Sequence, residues 1–162
     1  MNGYNVFAQY YDDLTRNIDY KKRAEYFDSI IKKFKVTPNN ILLDLACGTG
    51  SISEQMALLG YDVIGIDNSM EMLNIALDKK FDSGLNIQYL CQDMCNIDMF
   101  GTIDVTICAL DSINHLSSLN DVRKVFEKVS LFSEYDGLFI FDVNTIYKHR
   151  KILANNTFTY ET

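Results

Sequence analysis

The feature that most constrains the fold of this chain is an alternation that starts at residue 41. Short apolar runs bounded by turn residues take turns with segments of helical period. Residues 41–46 are apolar apart from Asp44 and run into glycines, as a strand buried on both faces does. Similar runs follow at 61–67, 87–91, 103–109 and 138–143, the last after a turn at Asp136-Gly137. Helical spacing fills the gaps at 51–59 and 69–80, where Asn68 and Glu71 have the spacing of a capping box. Between the fourth and fifth runs, Leu119, Val122, Phe126, Val129 and Phe132 recur at helical spacing. An earlier amphipathic helix over 20–34 carries Phe27, Ile30, Ile31 and Phe34 on one side, with Asp19 placed to cap it. Strand–helix–strand repetition with short connections predicts right-handed crossovers and a mainly parallel, doubly wound α/β sheet. Ligands of such sheets bind beyond the carboxyl ends of the strands, where the strand order reverses.

Composition narrows the partners. A chain of 162 residues, 48% hydrophobic and 23% charged, suits one folded domain rather than a disordered segment. Its net charge of −7 repels a phosphate backbone, which argues against nucleic acid. The compact basic clusters, Lys21-Lys22-Arg23 and Lys148 with Arg150 and Lys151, read as solvated surface. Cys47, Cys91, Cys95 and Cys108 form no C-x-x-C pair and no zinc spacing, so no metal is expected and free thiols in a reducing cytosol are the simplest account. No apolar leader or membrane-length run is visible, and a soluble, cytoplasmic protein is expected.

The chemistry concentrates after the first run. Gly48 and Gly50, in Asp44-Leu45-Ala46-Cys47-Gly48-Thr49-Gly50, let backbone turn tightly and approach a ligand. A G-x-G turn alone says only that the ligand is nucleotide-like. A dinucleotide fingerprint would need a third glycine where Ser53 stands, and a carboxylate at Asp44 sits badly beside a pyrophosphate. A nicotinamide-dependent oxidoreductase is therefore excluded. A carboxylate in that place suits a ligand with an ammonium group and no phosphate, which describes S-adenosylmethionine. Asp67, closing the second run, is placed to accept hydrogen bonds from both ribose hydroxyls. Gln92-Asp93-Met94 follow the third run; the Asp93 carboxylate suits an adenine amine and the Met94 backbone N–H suits the ring.

In this combination the sequence resembles the class I S-adenosylmethionine-dependent methyltransferases of small-molecule type, from the Tyr-Asp-containing N-terminus to the fifth run. The resemblance implies a Rossmann-like sheet in the order 3-2-1-4-5, preceded by an N-terminal helix. It implies that the turn of Asp44, Ala46, Cys47, Gly48 and Gly50 holds the methionine part of the cofactor, and that Asn68 and Met70 flank the adenine. A tyrosine near the methyl-donor end is matched by Tyr11, with Tyr20 second. The segment from Ala109 to Leu116 lies where donor and acceptor meet in the family, with Leu110 on the donor side. It lacks the Asn/Asp-Pro-Pro-aromatic motif of enzymes acting on base amines, since Pro38 is the only proline. That leaves a small-molecule methyl acceptor and no membrane partner.

Asp111 and His115 are the ionisable groups of that segment. His115 suits a general base near neutral pH and equally a loop or capping role; Asp111 suits a wall of the site. Two functions are consistent with this pattern: methyl transfer to a small acceptor, or a catalytically silent S-adenosylmethionine-binding module in a regulatory or assembly subunit. The expected divisions are an N-terminal helical segment covering the cofactor site (1–36), the cofactor-binding core (37–147) and the start of an accessory antiparallel segment (148–162). Residues 157–162 alternate aromatic with polar as a half-buried strand does. Because family sheets usually add two antiparallel strands beyond the fifth, the resemblance implies a fragment with a complete donor pocket, an incomplete acceptor lid and an exposed strand edge open to self-association.

Overall fold

The computed structural model describes residues 4–34 and 40–157. Helices α1 (Tyr4–Leu14) and α2 (Tyr20–Phe34) precede an alternating series: β1 (Ile41–Leu45), α3 (Ser51–Leu58), β2 (Asp62–Asp67), α4 (Met70–Ser83), β3 (Ile87–Cys91), β4 (Ile103–Cys108), α5 (Leu119–Phe132) and β5 (Ser133–Phe141). The five strands form one sheet in the order β3-β2-β1-β4-β5, and every pairing is parallel. The order reverses between β1 and β4, so the loops after these two strands open onto a shared crevice.

Strand alternation sends the core to both faces. Leu42, Val63, Ile87, Val105 and Ile107 meet Ala24, Phe27 and Ile31 of α2 and Ile52 and Met56 of α3 on one side. On the other, Leu43, Leu45, Ile66, Ile103 and Cys108 meet Val125 and Val129 of α5. The parity of β1 has a consequence for the site. Asp44 shares the face of Leu42 and therefore points under α3, where it is 2% exposed.

Two local expectations need correction. The cap of α4 is Ser69 rather than Asn68: its side chain accepts the N–H of Met72 and its hydroxyl donates to Glu71. The serine wins because the Asp67 carboxylate takes the Ser69 N–H and fixes the chain one residue later. The fifth strand begins at Ser133, opposite Ile103, and only after a bulge does Leu138 face Val105, so Asp136-Gly137 lie inside an irregular strand. Within the segment 1–36 expected to be helical, residues 4–14 form a helix of their own ahead of α2. Polar contacts at Asp12 tie it to the rest of the molecule, and those cannot be read from hydrophobic spacing. At the other end, residues 148–153 form a wide helical turn, and residues 158–162, most of the alternating hexapeptide, lie outside the described residues. Among the described residues no helix is long and apolar enough to cross a membrane.

Candidate functional site

The crevice at the carboxyl ends of the strands is a cavity of about 910 Å³. Of the residues singled out in the sequence, it gathers Tyr11, Ala46, Gly48, Asp67, Asn68, Gln92, Asp93, Met94, Leu110, Asp111 and His115. A small adjoining cleft of about 30 Å³ adds Tyr20, Asp44 and Cys47 and shares Tyr11, Ala46, Gly48 and Leu110 with the larger one. Gly50 and Met70 line neither. The Met70 side chain is 54% exposed on the first turn of α4, and Met72, one face round, lines the cavity in its place.

The turn after β1 is built on left-handed backbone: Ala46 (φ 62°), Gly48 (φ 56°) and Gly50 (φ 76°). The two glycines serve different ends. A Cβ on Gly48 would meet nothing within 4 Å, so the backbone there stands open to the cavity. A Cβ on Gly50 would collide with the Tyr89 hydroxyl, because the Tyr89 ring is tucked beneath the turn and against Gly65. Gly50 is thus a packing glycine that lets β3 support the turn from below.

Asp67 ties the turn to α4. One carboxylate oxygen accepts the Gly48 N–H at 2.8 Å and the other accepts the Ser69 N–H at 2.9 Å. Asp93 accepts the Cys95 N–H at 2.7 Å and holds the loop after β3. The Gln92 amide is committed to that loop as well, bonded twice to the backbone of Asp98. Its place in the cavity wall is therefore structural. Asp44 accepts the Ser53 hydroxyl at 2.6 Å. Burial raises its pKa to about 7; the Ser53 hydrogen bond works against that, and the Asp67 charge adds to it. Burial also lifts the Cys47 thiol well above its usual range, which disfavours the thiolate. All four cysteines are free, and no metal-holding cluster occurs among the described residues.

The opposite wall is the segment after β4. Leu110 (φ 58°) and Asp111 (φ 53°) are consecutive left-handed residues without a glycine. Asp142, just beyond β5, accepts the Asp111 N–H at 2.6 Å and pairs through its other oxygen with Arg23 of α2 at 2.8 Å. Asn144 donates its side-chain amide to the Asp111 carboxylate, and its own N–H goes to Asn114 at 2.7 Å. His115 ends the short turn Ser112–His115 and stands exposed at the cavity rim.

Several residues of the site were missed in the sequence. Arg23 and Lys148 belong to the basic clusters read as surface, yet both line the cavity. Asp142 carried a usable signal, since it follows a strand at its carboxyl end. Asp12, Thr49, Ser51 and Lys79, which join α1 to the turn, carried none.

The residues fit S-adenosylmethionine. The cavity presents carboxylates and the open backbone of Gly48, a lining that suits a cationic ligand without phosphate. Asp67 and Asp93 stand near successive strand ends on the cavity wall.

Comparison with known proteins agrees with this geometry. Residues 42–137 match a family model described as a methyltransferase domain. The chain is 35% identical over 156 residues to the putative methyltransferase YqeM of Bacillus subtilis, covering 96% of this chain and 61% of that protein. It is 32% identical to a glycine/sarcosine N-methyltransferase of Halorhodospira halochloris, covering 84% of this chain and 51% of that one. A crystal structure of an S-adenosylmethionine-dependent methyltransferase from Clostridium acetobutylicum superposes with a TM-score of 0.85 at 36% identity, covering 99% of this chain and 65% of that chain. The chain thus spans about three-fifths of the length of these first relatives. With fold, donor-site geometry and family model in accord, the chain belongs to the class I S-adenosylmethionine-dependent methyltransferases.

Proposed function

We propose that this chain binds S-adenosylmethionine in the crevice between β1 and β4 and serves its transfer of a methyl group to a small-molecule acceptor. The observation that carries this reading is the row of carboxylates Asp44, Asp67 and Asp93 at the ends of β1, β2 and β3, ranged along the open backbone of Gly48. In the working site the sulfonium supplies an already activated methyl group, so the protein's task is mainly to hold and orient. The turn of Ala46, Cys47 and Gly48, with Asp44 beneath it, receives the amino-acid end. Asp67 receives the ribose while keeping its backbone bonds, and Asn68, Met72, Asp93 and Met94 enclose the base. Tyr11 and Tyr20 close the donor side from α1 and α2, which makes residues 4–34 the cover of this site and the sheet its floor.

Leu110, which lines the small cleft with Asp44 and Cys47, stands between donor and acceptor, and Asp111 continues the wall toward the acceptor. The Asp111 carboxylate is engaged by Asn144 and its N–H by Asp142, so its part is to shape that wall rather than to move a proton. His115 at the rim is the group placed to take a proton from an amine or hydroxyl acceptor. The net charge of −7 favours a small acceptor over a nucleic acid.

The test is thermal unfolding with S-adenosylhomocysteine. A ligand bound only by the native state stabilises it by roughly 2.7 kcal/mol at a hundredfold excess over Kd. Asp67→Asn should remove most of that shift, because the ribose loses a charged acceptor. A larger shift with NADH than with S-adenosylhomocysteine would overturn the assignment.

A further inference from the structure

α1 is held to the rest of the molecule in a different way from α2. Helix α2 buries Ala24, Phe27 and Ile31 in the core. Of α1, from residue 8 to its end, only Ala8 is buried, while Tyr10 and Leu14 are exposed. Over residues 8–14 a set of polar contacts converges on one side chain. Asp12 accepts the Thr49 hydroxyl at 2.6 Å through one oxygen and pairs with the Lys79 ammonium at 2.6 Å through the other. The same ammonium donates to Ser51 at 2.9 Å and to Thr49 at 3.3 Å. Its three protons thus go to α1, to the first turn of α3 and to the glycine turn. Thr49 is 1% exposed and sits between Gly48 and Gly50, so the contact reaches the backbone that faces the cavity.

We infer that Asp12 is a positioning residue: with Lys79 and Thr49 it latches α1 over the donor crevice, and opening of this latch governs how fast the donor leaves. This rests on the donor-site reading above. The geometry supplies the link. Tyr11, next to Asp12, lines both the main cavity and the small cleft beside the turn, so releasing Asp12 withdraws one wall of each. From residue 8 to the end of α1, Ala8 is the only buried apolar side chain among those described, so undocking of this part of the helix turns on its polar contacts. The side chains of Lys79 and Asp12 are 25% and 39% exposed, so the pair is partly desolvated yet still within reach of salt. A latch of this kind also senses its cargo, since any shift of the turn at Thr49 is passed directly to Asp12.

The experiment uses the full chain with S-adenosylhomocysteine as the probe, reading its release rate by stopped flow and amide exchange of residues 8–14 by mass spectrometry. Asp12→Ala should speed release by about tenfold, the loss expected for a partly buried charged hydrogen-bonded pair, and should accelerate exchange in α1 alone. Lys79→Met keeps the Thr49–Asp12 hydrogen bond and should give a smaller change in the same direction. It also gives a second reading if Asp12→Ala folds poorly. Release from the wild type should quicken with added salt, and release from Lys79→Met should not. The exchanged pair, Asp12→Lys with Lys79→Asp, should recover much of the slow release. Release within twofold of wild type in both single variants, or faster release with α1 exchange unchanged, overturns the latch. A wild-type chain that binds no S-adenosylhomocysteine overturns the donor site instead, and ligand-free exchange of α1 then decides the latch alone.

Discussion

The two walls of the crevice both depend on left-handed backbone, but they are held there by opposite means. On the donor wall, two of the three left-handed residues between β1 and α3 are glycines, and their bonds are close at hand: the Gly50 N–H reaches Cys47 and the Cys47 N–H reaches Ile66 on the adjacent strand. On the acceptor wall, Leu110 and Asp111 adopt the same conformation with side chains that disfavour it, each at roughly 1–2 kcal/mol. They are kept there by residues far along the chain: Asp142 and Asn144 in direct contact, and Arg23 through Asp142. Where glycine specifies the turn, the shape is intrinsic to the segment. Where side chains specify it, the shape belongs to the assembled domain and yields when one partner is removed. The donor wall should therefore fail by collision, and the acceptor wall by release.

The largest expected effect is on the donor wall. Gly50→Ala places a methyl group against the Tyr89 hydroxyl and 3.1 Å from the Ala76 Cβ, at a φ of 76°. Overpacking and left-handed strain together should cost about 3 kcal/mol or more, visible in chemical denaturation. Gly48→Ala has the strain without the collision and should cost about 1 kcal/mol while weakening S-adenosylhomocysteine binding far more than stability. The buried Tyr89 hydroxyl has no hydrogen-bond partner among the described residues, so Tyr89→Phe should be close to neutral alone and should recover part of the Gly50→Ala loss. Equal losses at Gly48 and Gly50 would mean that the two glycines do the same job, and the distinction between them would fall.

The same contrast explains what could be read from the sequence. Most strand limits were legible because each strand is a local apolar run and β1 is followed by its own glycines, while the sheet order came from the family resemblance. Asp44, Gly48, Asp67 and Asp93 were legible as candidates because each lies within three residues of the carboxyl end of its strand. The long irregular start of β5 was not, since Asp136-Gly137 has the composition of a turn and only pairing with β4 makes it strand. Nor was the anchor of α1, since Asp12 has its partners at Thr49 and Lys79, on elements far along the chain. The strain at Leu110 and Asp111 left no mark at all, because nothing in their residue types asks for a positive φ. Arg23 was taken for surface since a cluster of three basic residues reveals nothing about which of them turns inward.

A second test separates the walls by pH. Burial raises the Asp44 carboxyl from 3.8 to about 7 in the folded chain. The folded state therefore holds this proton more tightly than the unfolded state does. The stabilisation tied to it is complete below about pH 4 and is lost as pH rises toward and through 7, with a slope of at most about 1.4 kcal/mol per unit. The ligand-free chain should accordingly lose stability from this group between pH 5 and 7, and Asp44→Asn should flatten that part of the profile. An ammonium group beside Asp44 has the opposite preference and favours the ionised form. Binding of S-adenosylhomocysteine should then release a proton near pH 6.5 and none near pH 8.5. Calorimetry in two buffers of different ionisation enthalpy measures this directly. Proton release that persists in Asp44→Asn would remove Asp44 from the amino-acid end of the donor site.

The smallest effect is expected on the acceptor wall, and it sharpens the comparison most. The Arg23–Asp142 pair has side chains 35% and 39% exposed, so its direct contribution to stability is about 0.5–1 kcal/mol and falls with salt. Arg23→Leu should cost no more than that. Asp142→Ala removes the same pair and also strips the Asp111 N–H of its acceptor, which adds about 1 kcal/mol. It also frees Leu110 and Asp111 to relax from left-handed geometry, and the relief of strain offsets part of the loss. Restoring the geometry by another route distinguishes these contributions. Asp111→Gly adopts a φ of 53° without strain but forfeits the contact with Asn144, so in the Asp142→Ala background it should cost less than in the wild type. Throughout this series the thermal shift produced by S-adenosylhomocysteine should stay within about 0.5 kcal/mol of the wild-type value, since Asp67, Gly48 and Asp93 keep every bond they have. If Asp142→Ala abolished that shift as Asp67→Asn is expected to, the crevice would be one cooperative unit and not two independently held walls.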